Sequence, residues 1–335
     1  MESAETSHRL LASVLGPEEA CGVLATLLVA PSLTTGGQRV SRAQLAMTLN
    51  AALFSQLLGR VPTAARYVHS VTESAGRICF DHGALRTIDG PTGALPRGYR
   101  AFERILKPLG YELAGLYPLP RLRMTGRAFT QTDLPEDIPQ FFVSELHVSE
   151  LPQGARNAAA RVFGASADPL GAAEWALLDE LAREGTCDFE TAVAGLPGIV
   201  RAFGAQHGTP ALADYETLLA ASPEGAWIAT EGNAFNHATD RVPNVAGLSE
   251  ALKAQGYPMK AALEVSANGR VRQTAFIADK VRRHFLLPDA SATEREVPGS
   301  FYEFISRDRV PETGALDLSF DSGNATGIFA VTQAQ

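Results

Sequence analysis

The apolar positions of this chain change period several times along its length. After Ser41, Leu45, Leu49, Leu53 and Leu57 recur every fourth residue, and Gly59 supplies a stop. This spacing predicts a helix that buries one stripe. From about residue 66, short apolar runs broken by Gly, Pro and Asp predict strands in RYVHSV, GRICFDHGALRTI, YELAGLY, RLRMTGRAFTQ and PQFFVSELHV. One helix is set among them. Phe102, Ile105, Leu106 and Leu109 share a face of GYRAFERILKPLG, which Pro108 and Gly110 close. Residues 151–222 return to helical spacing and predict an all-helical insertion. Asp168-Pro169 and Thr209-Pro210 each suggest an N-cap followed by Pro at the first helical position, and Leu170, Leu177, Leu178 and Leu181 form an apolar face.

After residue 224 the strand texture resumes in GAWIATEGNAFNHATDRV, YPMKAALEV, GRVRQTAFIADKVRRHFLL and PGSFYEFISRD. Between the first two lies a helix, PNVAGLSEALKAQG, with Val245, Leu248 and Leu252 on one face. The order is that of 66–148: a strand ending in His, a basic residue four positions on, an amphipathic helix closed by Gly-Tyr, and three further strands. Such internal similarity indicates duplication. The predicted fold class is therefore α+β, with two βαβββ modules wrapping a curved sheet or barrel around a shared cavity. Alternation such as Arg121-Leu122-Arg123-Met124 suits half-buried strands there. The expected divisions are an N-terminal helical segment at 1–65, a first module at 66–150, a helical insertion at 151–223 and a second module at 224–335.

Composition narrows the function classes. Hydrophobic residues at 45% and charged residues at 20% are ordinary globular values, so the chain should fold on its own core. A formal charge of −8 argues against non-specific nucleic-acid binding, which needs a basic surface. DKVRR at 279–283 is locally basic and reads as a solvated strand face. Cys21, Cys79 and Cys187 are far apart and odd in number, which suits a reducing compartment. The polar N-terminus and the shortness of ACGVLATLLVA point to a soluble cytoplasmic protein. Oligomeric state is not legible.

Of seven histidines, His82 and His237 occupy matching places in the two copies, in HGALR and HATDR. An isolated strand-end histidine is commonly satisfied by backbone, so their shared placement is what singles them out. Glu303 in GSFYEFISR has apolar neighbours on both sides, and alternation puts it on one face with Phe301 and Ile305. If that face is interior, a cation is its least costly partner. Two imidazoles and a carboxylate with open positions suit Fe(II). Zinc accepts the same set with water in the fourth position, so ligand type leaves the metal open. Glu145 in FFVSELHVSE lies near the place that Glu303 holds in the second copy, and as a fourth ligand it would favour lyase or isomerase chemistry. Aligning Pro139 with Pro298 instead places Ser144 opposite Glu303, which favours three ligands. His147 is expected to serve packing or solvent. Arg241 is expected to orient the second histidine's loop or to pair beside Asp240.

RICFDHGALRTI, GNAFNHATDRV, QTAFIADKV and PGSFYEFISR resemble the metal-binding segments of the 2-oxoadipate dioxygenase/decarboxylase family, or hydroxyglutarate synthases, of the glyoxalase-like vicinal-oxygen-chelate superfamily. The resemblance spans most of 66–310. It implies an Fe(II) enzyme of lysine breakdown that converts 2-oxoadipate and O₂ into D-2-hydroxyglutarate and CO₂. It also implies His82, His237 and Glu303 as metal ligands and Arg86 as the catalytic, substrate-carboxylate-binding arginine. Leu85 stands in HGALR where longer members carry Ile, and nothing transfers beyond about 310. Two alternatives stay open: a glyoxalase-like metal-dependent isomerase or lyase, and a non-catalytic dicarboxylate-binding protein. Walker, GxGxxG, HExxH and GxSxG motifs are missing, so the nucleotide, zincin and serine-hydrolase readings lack their usual support.

Overall fold

The computed structural model describes residues 2–34, 37 and 39–320. Its centre is a curled eight-stranded sheet built from β1 (Phe80–Asp89), β2 (Tyr111–Leu119), β3 (Met124–Gln131), β4 (Gln140–His147), β5 (Phe235–Arg241), β6 (Glu264–Val265), β7 (Val271–Ala275) and β8 (Phe301–Arg307). The order across it is β2-β3-β4-β1-β5-β8-β7-β6. The two halves mirror each other about the antiparallel β1–β5 pair, and each lead strand runs parallel to the last strand of its own half. This is the α+β duplication anticipated from the chain.

The helices of the two halves end alike. α3 (Arg100–Leu106) and α5 (Val245–Ala254) are each followed by a glycine at positive φ, Gly110 at 83° and Gly256 at 81°, before a tyrosine. A residue with a Cβ is strained in that conformation, which accounts for the repeated Gly-Tyr. α1 (Arg42–Arg60) begins with a capping box in which Ser41 and Gln44 each accept from the other's backbone N–H. Leu45, Leu49, Leu53 and Leu57 are buried, but so are nearly all residues from Ala43 to Leu57. The helix lies among other helices and the sheet and is apolar on more than one stripe. It runs through Gly59 and stops at Val61, before Pro62.

Several expected elements differ. RYVHSV lies in helix α2 (Pro62–Glu73), and GAWIATE in helix α4 (Pro223–Glu231). Their apolar runs are buried without sheet pairing, an ambiguity that short runs cannot resolve. Pro120–Leu122 is a 3₁₀ turn and Arg123 takes φ 55°, so the alternation there is not a strand. Helices in the 151–223 stretch start at Ala172 and Leu212 rather than at the Asp-Pro and Thr-Pro pairs. Asp168 is engaged by Arg104 at 2.6 and 2.7 Å instead of capping a helix. The stretch is not all helical: Thr186–Asp188 pairs with Arg39–Ser41. GRVRQTAFIADKVRRHFLL divides into β7 and Lys280–Leu286, which forms a separate hairpin with Ala292–Pro298. Lys280 and Arg282 of the basic run are exposed, as its charge demands, and so is His284 just beyond it.

Candidate metal centre

The front face of the sheet carries the chemistry because of strand register. His82 on β1 sits opposite Thr239 on β5, which sits opposite Glu303 on β8. Ala84 sits opposite His237. Directly paired residues point to the same side, so three strands deliver four polar side chains to one place. Tyr302 and Phe304 point to the back and pack with Phe54, Tyr67 and Phe276.

Among the described residues, His82, His237 and Glu303 form a buried group with one ligand atom each within 4.8 Å of the others. Glu303 Oε2 lies 3.3 Å from His82 Nε2 and 3.5 Å from His237 Nε2, and Thr239 Oγ1 donates to it at 2.7 Å. The imidazole rings stand edge to face at 5.5 Å. Glu303 itself is fully buried, and its Oε1 has no hydrogen-bond partner among the described residues. A buried carboxylate oxygen left this way is costly, and a cation between the two imidazoles would satisfy it. The donor set therefore fits a divalent ion, with sides left open.

Two β-bulges set the histidines. The β1–β5 register slips once at Asp81 and once at Asn236, so each residue preceding a histidine is the unpaired extra one. A bulge re-aims side chains that alternation would send to opposite faces. Asp81 Oδ1 thereby reaches His82 Nδ1 at 2.9 Å, and the Asn236 amide reaches His237 Nδ1 at 3.1 Å. The Asp81 carboxylate holds its imidazole and leaves Nε2 for a ligand, whereas at His237 the atom on Nδ1 is the Asn236 amide nitrogen, a donor. The same role there requires the amide turned so that Oδ1, without a partner among the described residues, accepts from Nδ1–H. Asp81 is in turn gripped by Arg307, at 2.9 and 3.0 Å. The residue before each histidine was the signal in the sequence, Asp81-His82 and Asn236-His237, and pattern reasoning passed over it.

Charge at the centre is uneven. Burial opposes charge on His82, but hydrogen bonds to Asp81 and Glu303 hold its pKa above the usual imidazole value. Burial drives His237 down to about 3, only partly offset by Glu303. Burial would raise Glu303, yet the two histidines and Thr239 bring it below its ordinary range. A metal would take the place of the proton that His82 Nε2 directs at Glu303.

Arg86 shares the front face with His82 and Ala84, four residues along β1, and lies over the Trp227 ring of α4 at 4.9 Å. It is 1% exposed, and burial lowers its pKa to about 10. Glu145 is not with the histidines. It points to the back, where Arg127 and the Tyr99 N–H bind it. Register places Gln140 beside His82 and Phe301 beside His237, so the first-half counterpart of Glu303 is Phe142, neither Ser144 nor Glu145. His147 bonds Thr125 and Asp89, and Arg241 reaches Asp81 at 3.8 Å and the Glu136 carbonyl.

Lys260 was also missed. Its N–H donates to the carbonyl of Ala275, the residue opposite Glu303, so it extends the same row and pairs with Glu264 at 2.6 Å. No helix among the described residues is long and apolar enough to cross a membrane.

Comparison with known proteins follows the same lines. A glyoxalase superfamily protein of Ralstonia eutropha JMP134 superposes with a TM-score of 0.90 at 50% identity, covering 95% of this chain and 98% of that one. The hydroxyglutarate synthase of Oryza sativa, solved with 2-oxoadipate, shares the fold with a TM-score of 0.67 at 19% identity, over 92% of this chain and 95% of that one. The chloroplastic 2-oxoadipate dioxygenase/decarboxylase of Arabidopsis thaliana is 24% identical over 332 residues, 88% of this chain and 81% of its own. The family model for 2-oxoadipate dioxygenase/decarboxylase matches residues 40–315. With the paired halves and the buried histidines inside that span, the chain belongs to the 2-oxoadipate dioxygenase/decarboxylase family.

Proposed function

We propose that the chain is a cytoplasmic, Fe(II)-dependent dioxygenase that converts 2-oxoadipate and O₂ into D-2-hydroxyglutarate and CO₂ in lysine breakdown, with His82, His237 and Glu303 as the metal ligands. The observation that carries it is the buried His82–His237–Glu303 group, with a Glu303 oxygen that has no partner among the described residues. The family membership and the 2-oxoadipate bound in the Oryza sativa structure support it. In this reading the described residues of the modules 66–150 and 224–335 hold the centre, with those of 1–65 and 151–223 as largely helical supports.

Fe(II) bound by these three residues supplies open positions for chelation by a 2-oxo acid and for reduction of O₂. The chain supplies position and charge. Asp81 and Asn236 keep the imidazoles aimed, and Thr239 holds the Glu303 oxygen that faces both. Arg86 meets the far carboxylate. Its planar fork can bind a carboxylate through two parallel hydrogen bonds, and packing on Trp227 limits its rotation. With a pKa near 10 it stays charged at neutral pH. Phe142, Ala84 and Ala128 form an apolar patch on the same face that Tyr117 and Phe320 cover in this structure; with that cover displaced it suits the methylenes between two carboxylates.

The test is anaerobic reconstitution with Fe(II), followed by O₂ uptake across a panel of 2-oxo acids. One O₂ consumed and one CO₂ released per 2-oxoadipate is the expected result. Turnover under nitrogen with zinc or nickel would place the chain among isomerases or lyases instead, and ligand binding without metal would make it a binding protein.

A further inference from the structure

The segment after β8 returns across the front of the sheet and ends, among the described residues, on the histidines. The Phe320 ring lies 4.9 Å from His82 and 4.9 Å from Phe142, and its N–H donates to Tyr117 Oη at 3.1 Å. Gln140 donates to the Leu318 carbonyl at 3.2 Å. The anchor is Arg307, whose side chain is wholly buried. Its Nη1 donates to the carbonyls of Asp317 and Ser319, both at 2.8 Å, while Nε and Nη2 grip Asp81. One rigid guanidinium thus holds two things: the strap that carries Phe320, and the carboxylate that aims His82.

We infer that Arg307 is a positioning residue that couples closure of the Asp317–Phe320 strap over the centre to the orientation of His82. This rests on the metal-centre reading above. The physical reason is shared geometry. The guanidinium is planar, so a shift of the strap carbonyls turns the fork that holds Asp81, and Asp81 holds the His82 ring. Coupling of this kind is reciprocal: a ligand that fixes His82 must also steady the strap. Phe320, Phe142 and Tyr117 then form a dry wall beside the metal when the strap is down.

The test uses the full chain and Co(II), whose visible absorption reports its ligand set, with hydrogen exchange read on peptides covering 316–320. In the wild type, Co(II) should slow exchange of the strap several-fold. Arg307→Lys keeps the charge but loses the fork. It should abolish that slowing and weaken Co(II) binding by about 10- to 100-fold, as loss of a partner behind a ligating histidine does. Phe320→Ala removes a half-buried ring and leaves no charge unpaired, so it decides the matter if Arg307→Lys does not fold. It should speed strap exchange and lower Co(II) affinity. Co(II) binding that leaves strap exchange unchanged would overturn the coupling alone. So would wild-type Co(II) affinity in Arg307→Lys or Phe320→Ala. A wild type that takes up no divalent ion would overturn the metal-centre reading itself, and the coupling with it.

Discussion

Gly83, the residue after His82, faces the back of the sheet, where the ring of Phe235 crosses it. A Cβ at position 83 would meet three carbons of that ring at 2.2, 2.3 and 2.8 Å, well inside contact distance. The ring has little freedom to retreat. Phe235 is 1% exposed and packs against Phe141, Phe80 and Phe203 at centroid distances of 5.7, 6.4 and 6.4 Å. Its carbonyl is also pinned by Ser300 and Arg60. Gly83→Ala should therefore fall at the upper end of the overpacking range, about 3 kcal/mol. The least costly relaxation spreads β1 from β5, and these strands carry His82 and His237, so divalent-metal affinity should fall as well. Urea unfolding in chelator measures the first effect and Co(II) titration the second. Phe235→Leu provides the control. It costs stability alone, but combined with Gly83→Ala it should recover about 1–2 kcal/mol relative to additivity, because the clash is gone. A Gly83→Ala protein within about 0.5 kcal/mol of wild type, or strictly additive costs in the pair, would refute the steric account.

Three further outcomes are expected. Arg86→Lys should lower kcat/KM for 2-oxoadipate by about 10- to 100-fold, the worth of a charged hydrogen bond, while a 2-oxo monocarboxylate of equal length is little affected; equal losses on both would remove Arg86 from the carboxylate. Chelation should cost about 2.7 kcal/mol of unfolding free energy relative to protein in metal at 100 times its Kd, and His237→Ala should erase that difference while keeping the fold; a chelator effect that survives in the variant would place the metal elsewhere. Burial raises the Asp240 carboxyl to about 7, although Tyr67 and the Cys79 N–H donate to it. The folded protein then keeps a proton that the unfolded chain has lost above about 4, so this group's contribution to stability falls as pH rises from about 4 to 7. The urea-derived stability of Asp240→Asn minus wild type should accordingly increase between pH 5 and 8, by up to about 3 kcal/mol, since about two pH decades of that window lie below 7 at about 1.4 kcal/mol each; a flat difference would contradict it.

The duplication was written in the chain because each half must solve the same packing problem twice. A helix followed by a left-handed turn needs Gly110 in one half and Gly256 in the other, and the lead strand of each half carries a histidine, at its third residue and not at its end as the pattern suggested. His82, His237 and Glu303 could be picked out one by one, since polar residues in apolar strands are costly unless they have a partner. Their convergence could not. It depends on β1, β5 and β8 lying side by side, and residues about 150–160 positions apart in β1 and β5, and 64 apart in β5 and β8, are paired by register that no local pattern encodes. The same limit misplaced the counterpart of Glu303, because a proline alignment cannot count bulges or pairing offsets, whereas the β1–β4 register puts Phe142 there. Asp81, Asn236 and Arg307 acquire their roles only when two bulges turn side chains that alternation would separate and a returning segment sets its carbonyls against one guanidinium. Composition and periodicity thus determined which residues could do chemistry and that they came in paired halves. Tertiary structure decided which of them meet, because side chains at a buried centre are brought together by hydrogen-bond register between distant strands and not by spacing along the chain.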